Sequence, residues 1–216
     1  MKLHNYFRSS ASFRVRIALN LKGLPYEYVP VHIAKGEHKK EGFAALSADN
    51  LVPVLEVDGR RLSQSLAIIE YLDETRPQVR LLPDDAYERA QVRALAQSIA
   101  CEIHPLNNLR VLKYLTKTLE VGEEAKNTWY RHWVRDGLES FERQLLKAEP
   151  TGNTSLFCFG NTPGLADCCL VPQIFNARRF NTPLDGLPKT MAVFDACMKL
   201  GAFIQAQPSN CPDNEP

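Results

Sequence analysis

The segment Arg8-Ser9-Ser10-Ala11-Ser12-Phe13-Arg14 sets three hydroxyls and two guanidinium groups where an extended run gives way to a helical one. The first turn of a helix leaves backbone N–H groups unpaired and carries partial positive charge, so it favours an anion. Ser9, Ser10 and Ser12 can add hydroxyl donors there. Serine also caps helices routinely, and capping alone accounts for this segment taken by itself. A second point is Val52-Pro53. Proline is disfavoured inside a strand and belongs at its start. A cis bond would turn the Val52 N–H and C=O outward, where an extended peptide ligand can pair with them. Only about 5–6% of X–Pro bonds are cis, so the sequence predicts an ordinary trans bond. A third point is Gln64-Ser65 before a helical run. Ser65 is a good N-cap, Gln64 adds an amide donor, and with the helix dipole they can hold a carboxylate. Capping is again sufficient on its own.

These residues need elements to position them. Lys2 to Phe7 reads as a strand, and Ser9 to Leu21 as a helix with Phe13, Ile17 and Leu21 at fourfold spacing. Lys22 and Gly23 suit the helix end. Tyr26 to Val31 is a second strand, aromatic and β-branched. Residues 35–46 read as a loop with a short helix. Val52 to Val57 is a third strand, Asp58-Gly59 a two-residue hairpin, and Arg60-Arg61-Leu62 the return strand. Ser65 to Thr75 is a helix ended by Arg76-Pro77. The order β-α-β then β-β-α predicts a parallel pair with a right-handed crossover plus an antiparallel hairpin, a thioredoxin-like arrangement. Beyond a linker the strand pattern disappears. Glu88 to Leu119 reads as one long helix, bent at Pro105, and Glu123 to Ala148 as another. Leu165 to Phe180 and Lys189 to Phe203 supply two more. The expected fold is therefore an α/β thioredoxin-like domain over 1–80, a linker over 81–87, and an all-α domain over 88–216 whose polar tail frays from about 207.

The chain has 216 residues, enough for one or two domains at about 150 residues each. Apolar residues make up 44% and charged residues 24%, which excludes disorder and collagen-like structure. With 26 basic and 25 acidic residues the net charge is 26 − 25 = +1, so there is no general attraction for nucleic acid or anionic membranes. No apolar window is long enough for a membrane span, and Met1 to Arg8 lacks a signal-peptide core, which predicts a cytoplasmic protein. The cysteines Cys101, Cys158, Cys168, Cys169, Cys197 and Cys211 form no CxxC pair. They read as buried reduced thiols, with neither a disulfide framework nor a metal site.

The combination of the three points resembles the glutathione-binding domain of the glutathione S-transferases. Arg8-Ser9-Ser10, Arg14 to Leu19, Val52-Pro53, Gln64 to Leu72 and Arg80 to Pro83 are similar to the zeta class, as are Ile103 to Leu112 and Leu170 to Gln173. The resemblance spans nearly the whole chain. There are two departures. Ala11 stands where the motif usually has cysteine, which leaves Ser9 to hold the thiol. Gly164 stands at the cap ahead of Asp167, at a cost of a few tenths of a kcal/mol with the helix kept.

The resemblance implies glutathione as cofactor and a cis–trans isomerisation of maleylacetoacetate to fumarylacetoacetate in aromatic catabolism. Maleylpyruvate is the alternative substrate, and glutathione conjugation or dehalogenation the alternative activity. A non-catalytic binding module is a third reading. Ser9, Ser10 and Arg8 are then the catalytic candidates. Ser9, Ser10, Ala11, Ser12, Phe13, Arg14, His38, Val52, Pro53, Gln64, Ser65, His104, Asn108, Leu109 and Arg110 are the expected glutathione contacts. Arg8, Arg110, Arg179 and His104 are expected at a dicarboxylate or keto-acid substrate, since a guanidinium fork binds a carboxylate bidentately. A homodimer is implied as well.

Overall fold

The computed structural model describes residues 1–148 and 155–215. They fall into two units, Met1–Leu82 with Met198–Pro216, and Pro83–Cys197.

The first unit holds strands β1 (Lys2–Asn5), β2 (Glu27–Pro30), β3 (Val54–Val57) and β4 (Arg60–Ser63) in the order β2-β1-β3-β4. β1 pairs parallel with β2 and antiparallel with β3, and β3 pairs antiparallel with β4. The parallel pair is joined by helix α1 (Ser10–Leu21), and α3 (Ser65–Thr75) follows β4. The thioredoxin-like reading therefore holds. Its core joins Leu3 and Leu55 of the sheet to Ile17 and Leu19 of α1 and Ile68, Ile69 and Leu72 of α3, all at most 1% exposed. Local signals hold as well. Asp58 and Gly59 adopt φ of 50° and 71°, as a two-residue hairpin needs, and Gly23 closes α1 at φ 63°. The buried Lys22 ammonium meets Asp73 at 3.1 Å and ties the end of α1 to α3. Between β2 and β3 lie a 3-10 turn, Glu37–Lys39, and the short helix α2 (Glu41–Ala44).

The second unit contains helices α4 (Ala86–Gln97), α5 (Leu109–Lys117), α6 (Glu123–Ala148), α7 (Leu165–Arg179) and α8 (Pro188–Cys197). Every residue of α7 from Leu165 to Ile174 is buried, and α4 and α8 pack on it. A helix apolar all round needs such a jacket. Asp167 compensates for the glycine at its cap by accepting the Gly164 N–H at 2.8 Å and the Cys158 N–H at 2.9 Å. The helix is kept, as expected.

Several expectations are corrected. The long helix over 88–119 is interrupted. α4 widens into a π-helical turn at Ser98–Ile103, a 3-10 turn follows at Pro105–Asn107, and α5 restarts with Asn108 as its cap. Pro105 has no N–H to continue the ladder, and the Asn108 side chain accepts the Val111 N–H at 3.2 Å instead. The helix over 189–203 is two helices, α8 and α9 (Gly201–Ala206). Met198–Pro216 groups with the N-terminal unit. There α9 packs on α1, and Asn20 Nδ2 donates to the Ala202 carbonyl at 3.0 Å. The segment from 207 is held rather than frayed: Cys211 is buried, and Asp213 accepts a backbone N–H from Phe7. Of the six thiols, Cys101 is exposed, against the expectation of burial for all.

Candidate active site

The strand registers bring the separate sequence points together. His4 of β1 lies level with Val54 at the start of β3, Val54 level with Ser63 at the end of β4, and Asn5 level with Pro30 at the end of β2. The Tyr6–Ser9 turn, the Leu51–Pro53 approach, the Gln64–Ser65 step and the loop carrying His38 therefore leave the same edge of one sheet. This is the usual place for a site in a sheet with a helix following a strand. A buried contact joins two of them, since Arg14 Nη1 of α1 donates to Ser65 Oγ of α3 at 3.2 Å.

Ser9 is the N-cap of α1, extended at φ −71° and ψ 117°, and its Oγ accepts the Ser12 N–H at 3.2 Å. Accepting there leaves the hydroxyl proton to donate elsewhere. Ser9 is half-buried, whereas Ser10 and Ser12 are only 5% and 0% exposed. Phe13 and Arg14 are each 2% exposed. The side chains of Ser10, Ser12, Phe13 and Arg14 are therefore buried in the first unit. The reason is that α3 and α9 both pack on α1, so that residues on more than one of its faces are covered. Ala11 is half-buried.

The Val52–Pro53 bond is cis, contrary to the trans expectation. The preceding loop is closed locally. Asn50 sits at φ 55°, and the Leu51 N–H donates to Ser47 Oγ at 3.1 Å. Val52 precedes the first paired residue of β3, so its peptide groups lie outside the ladder. Gln64 occupies the cap of α3 at φ 67° without a side-chain capping bond, and it is exposed, with Nε2 3.4 Å from Asp49 Oδ2. The first N–H groups of α3 are thus not consumed by their own cap residue, and Ser65 supplies a hydroxyl beside them.

Arg8 is exposed, with its guanidinium held by its own turn. Nε and Nη2 donate to Tyr6 Oη at 3.2 and 3.0 Å, and the group lies 4.9 Å from the Phe7 ring centre. Neither bond uses Nη1. His38 lies in the 3-10 turn after β2.

The remaining candidates belong to the helical unit. His104 caps the Pro105 turn, Asn108 caps α5, Leu109 and Arg110 form its first turn, and Arg110 is exposed. Arg179 ends α7, exposed, with its guanidinium 4.9 Å from the Phe180 ring centre.

Sequence reasoning missed Arg16. It is 1% exposed and donates to Asn5 Oδ1 at 3.0 Å and to the carbonyls of Tyr6 at 3.3 Å, Phe7 at 2.9 Å and Ala206 at 3.1 Å. It holds the turn that carries Arg8 and Ser9 from behind. A signal was present: Arg16 stands between Val15 and Ile17 on an otherwise apolar helix, a place for a charge that must find oxygen ligands.

Residues 8–75 match the family description Glutathione S-transferase, N-terminal domain. The chain is 48% identical over 214 residues to a probable maleylacetoacetate isomerase of Vibrio cholerae serotype O1, covering 98% of this chain and 97% of the relative. A holo structure of maleylpyruvate isomerase, a bacterial zeta-class glutathione S-transferase, matches with a TM-score of 0.95 at 49% identity over all of both chains. A maleylacetoacetate isomerase of Methylobacterium extorquens AM1, with malonate and glutathione bound, matches with a TM-score of 0.94 at 36% identity, also over all of both chains.

Proposed function

The chain belongs to the glutathione S-transferase family, and from that membership we propose that it is a zeta-class, glutathione-dependent cis–trans isomerase converting maleylacetoacetate to fumarylacetoacetate. The observation that carries the reading is the meeting at one sheet edge of a serine-capped helix start, an unpaired Val52 peptide and the Gln64–Ser65 helix start.

The donor set suits the tripeptide. Glutathione has a thiol, peptide groups and two carboxylates. Opposite these stand the Ser9 hydroxyl, the Val52 backbone, and the Ser65 hydroxyl at the N-terminus of α3. When bound, glutathione supplies a thiolate that adds to the cis double bond and leaves after rotation about the resulting single bond, so it is regenerated.

An ordinary thiol has a pKa near 8.5, so only a few per cent is ionised at pH 7. Ser9 Oγ–H donates to the anionic sulfur, and the first turn of α1 adds partial positive charge. Lowering the pKa by one unit takes about 1.4 kcal/mol, within reach of one charge-assisted hydrogen bond. Val52 N–H and C=O hold the peptide, while Ser65, Gln64 and the α3 N-terminus receive a carboxylate. His38 serves the other end of the tripeptide. Arg8 offers Nη1 to the negative charge that develops on the substrate. Arg110, Arg179 and His104 serve its carboxylates, and the corresponding alanine variants raise substrate KM if they do. Asn108 and Leu109 contribute by setting the start of α5, on which Arg110 sits.

The experiment mixes purified protein, glutathione and enzymatically made maleylacetoacetate or maleylpyruvate, and follows both the cis compound and free glutathione. We expect the cis compound to disappear with glutathione undiminished, and a higher kcat/KM for maleylacetoacetate. No acceleration over glutathione alone on either substrate would sink the proposal. Stoichiometric loss of glutathione would make the protein a conjugating transferase instead.

We further infer a cytoplasmic homodimer, in keeping with its family; no helix among the described residues is long and apolar enough to cross a membrane. Light scattering is expected to give twice the chain mass, and a monomer mass at working concentration would refute the dimer.

A further inference from the structure

The segment after α9 returns to the sheet edge where the site loops leave. It passes through a 3-10 turn at Pro208–Asn210 and reaches two of those loops. Asp213 Oδ2 accepts the Phe7 N–H at 3.2 Å, and Asp213 Oδ1 accepts the Tyr28 hydroxyl. Burial, and then this bond to Asp213, push the Tyr28 hydroxyl far above its ordinary pKa. Cys211 is buried in a cluster with Tyr6 and Phe7, against which Val52 packs. Glu215 meets Lys35 Nζ at 2.5 Å and His32 Nε2 at 3.2 Å, on the loop that leads to His38.

Phe7 is the important contact. The Ser9 N–H donates to the Tyr6 carbonyl at 3.0 Å, so Tyr6–Ser9 is a closed four-residue turn. Its second residue is Phe7. The Phe7 carbonyl is held by Arg16 Nη2 at 2.9 Å, and the Phe7 N–H by Asp213. Both polar groups of that residue are therefore fixed from outside the turn, one by a buried cation and one by a carboxylate 206 residues away in sequence. The direction of Ser9 Oγ depends on this turn.

We propose that Asp213 is a positioning residue for the thiol site, fixing the Tyr6–Ser9 turn through the Phe7 N–H and thereby the aim of the Ser9 hydroxyl. The inference rests on the reading of Ser9 as the group that holds the glutathione sulfur. It separates geometry from charge, because the two act with opposite sign. A carboxylate acting by its charge alone disfavours a thiolate, so its removal lowers the thiol pKa. A carboxylate acting by position favours the thiolate, so its removal raises that pKa.

The test reads the pKa of glutathione's thiol in the binary complex by ultraviolet absorbance of the thiolate, with kcat and both KM values, in full-length Asp213→Ala, Asp213→Asn and Asp213→Glu. Asn keeps an oxygen for the Phe7 N–H, whereas Glu keeps the charge and moves the oxygen by one carbon. The alanine and glutamate variants are expected to raise the thiol pKa by about one unit and lower kcat/KM for glutathione about tenfold, with KM for the cis substrate unchanged. Asparagine is expected to stay near wild type. If alanine does not fold, glutamate carries the same expectation with the charge retained. A thiol pKa that falls in both alanine and asparagine, or equal losses in all three variants, would overturn the proposal. Wild-type protein that fails to bind and ionise glutathione would remove the Ser9 reading and this inference with it. Wild-type protein that does so, matched by the alanine and glutamate variants, would remove only the role of Asp213.

Discussion

Replacing Ser9 with alanine is expected to lower kcat/KM for the isomerisation about 10- to 100-fold, because a hydrogen bond to a charged group contributes roughly 1.5–3 kcal/mol. The same change should raise the pKa of the bound thiol by about one to two units. Ser9 has a second duty, since its Oγ caps α1 by accepting the Ser12 N–H at 3.2 Å. Loss of an N-cap costs typically about 1 kcal/mol of stability, which moves the melting temperature of a domain this size by a few degrees. The two duties therefore report on different measurements. Ser9→Thr keeps both a cap and a donor and should recover most of the rate. Ser12→Ala is the control, because the Ser12 hydroxyl is buried without a hydrogen-bond partner and its removal should leave activity unchanged. Full activity in Ser9→Ala, with the thiol pKa unmoved, would show that the hydroxyl only caps the helix.

Arg16→Met is expected to be the most destabilising of these substitutions, by about 3–5 kcal/mol and on the order of 10 °C in melting temperature. Methionine fills a similar volume, and a buried ion pair replaced whole by apolar groups can even gain stability. Here the situation differs. The acceptors of Arg16 are one side-chain amide oxygen and three backbone carbonyls, and these cannot be replaced along with it. Removing the donor leaves the buried Phe7 carbonyl unsatisfied, strips the Tyr6 carbonyl of one of its two donors and releases the Ala206 carbonyl at the end of α9. Arg16→Lys should recover only part of the loss, since one ammonium cannot span acceptors arranged for a fork. Calorimetry or denaturant unfolding decides the matter. A methionine variant within about 1 kcal/mol of wild type would mean that water replaces the guanidinium.

Much of this protein is written in short-range chemistry. Asp58-Gly59 makes its hairpin because both residues tolerate a left-handed backbone. Ser9 caps α1 and Gly23 ends it for reasons contained within a few neighbours. The four-stranded arrangement followed from the order of apolar periods, and the three points of candidate chemistry were legible at Ser9, Val52-Pro53 and Gln64-Ser65. Asp167 shows the same local logic, replacing what Gly164 cannot supply.

Other features have causes that lie far along the chain. The partners that hold Arg14 and Arg16 in the interior lie 51 and 190 residues away. The segment from Gln207 onward has the composition of a frayed end, and its order comes from Phe7, Tyr28 and His32.

From its residues alone, this chain determined which turns, caps and strands exist and which side chains carry reactive groups, because those choices are made by steric and hydrogen-bonding preferences within a few positions. Tertiary structure alone decided which of those groups share a sheet edge, that the Val52–Pro53 bond is cis, and that a distant carboxylate and a buried guanidinium grip the Tyr6–Ser9 turn. Burial and pairing between remote segments depend on the whole packed chain, and no local pattern encodes them.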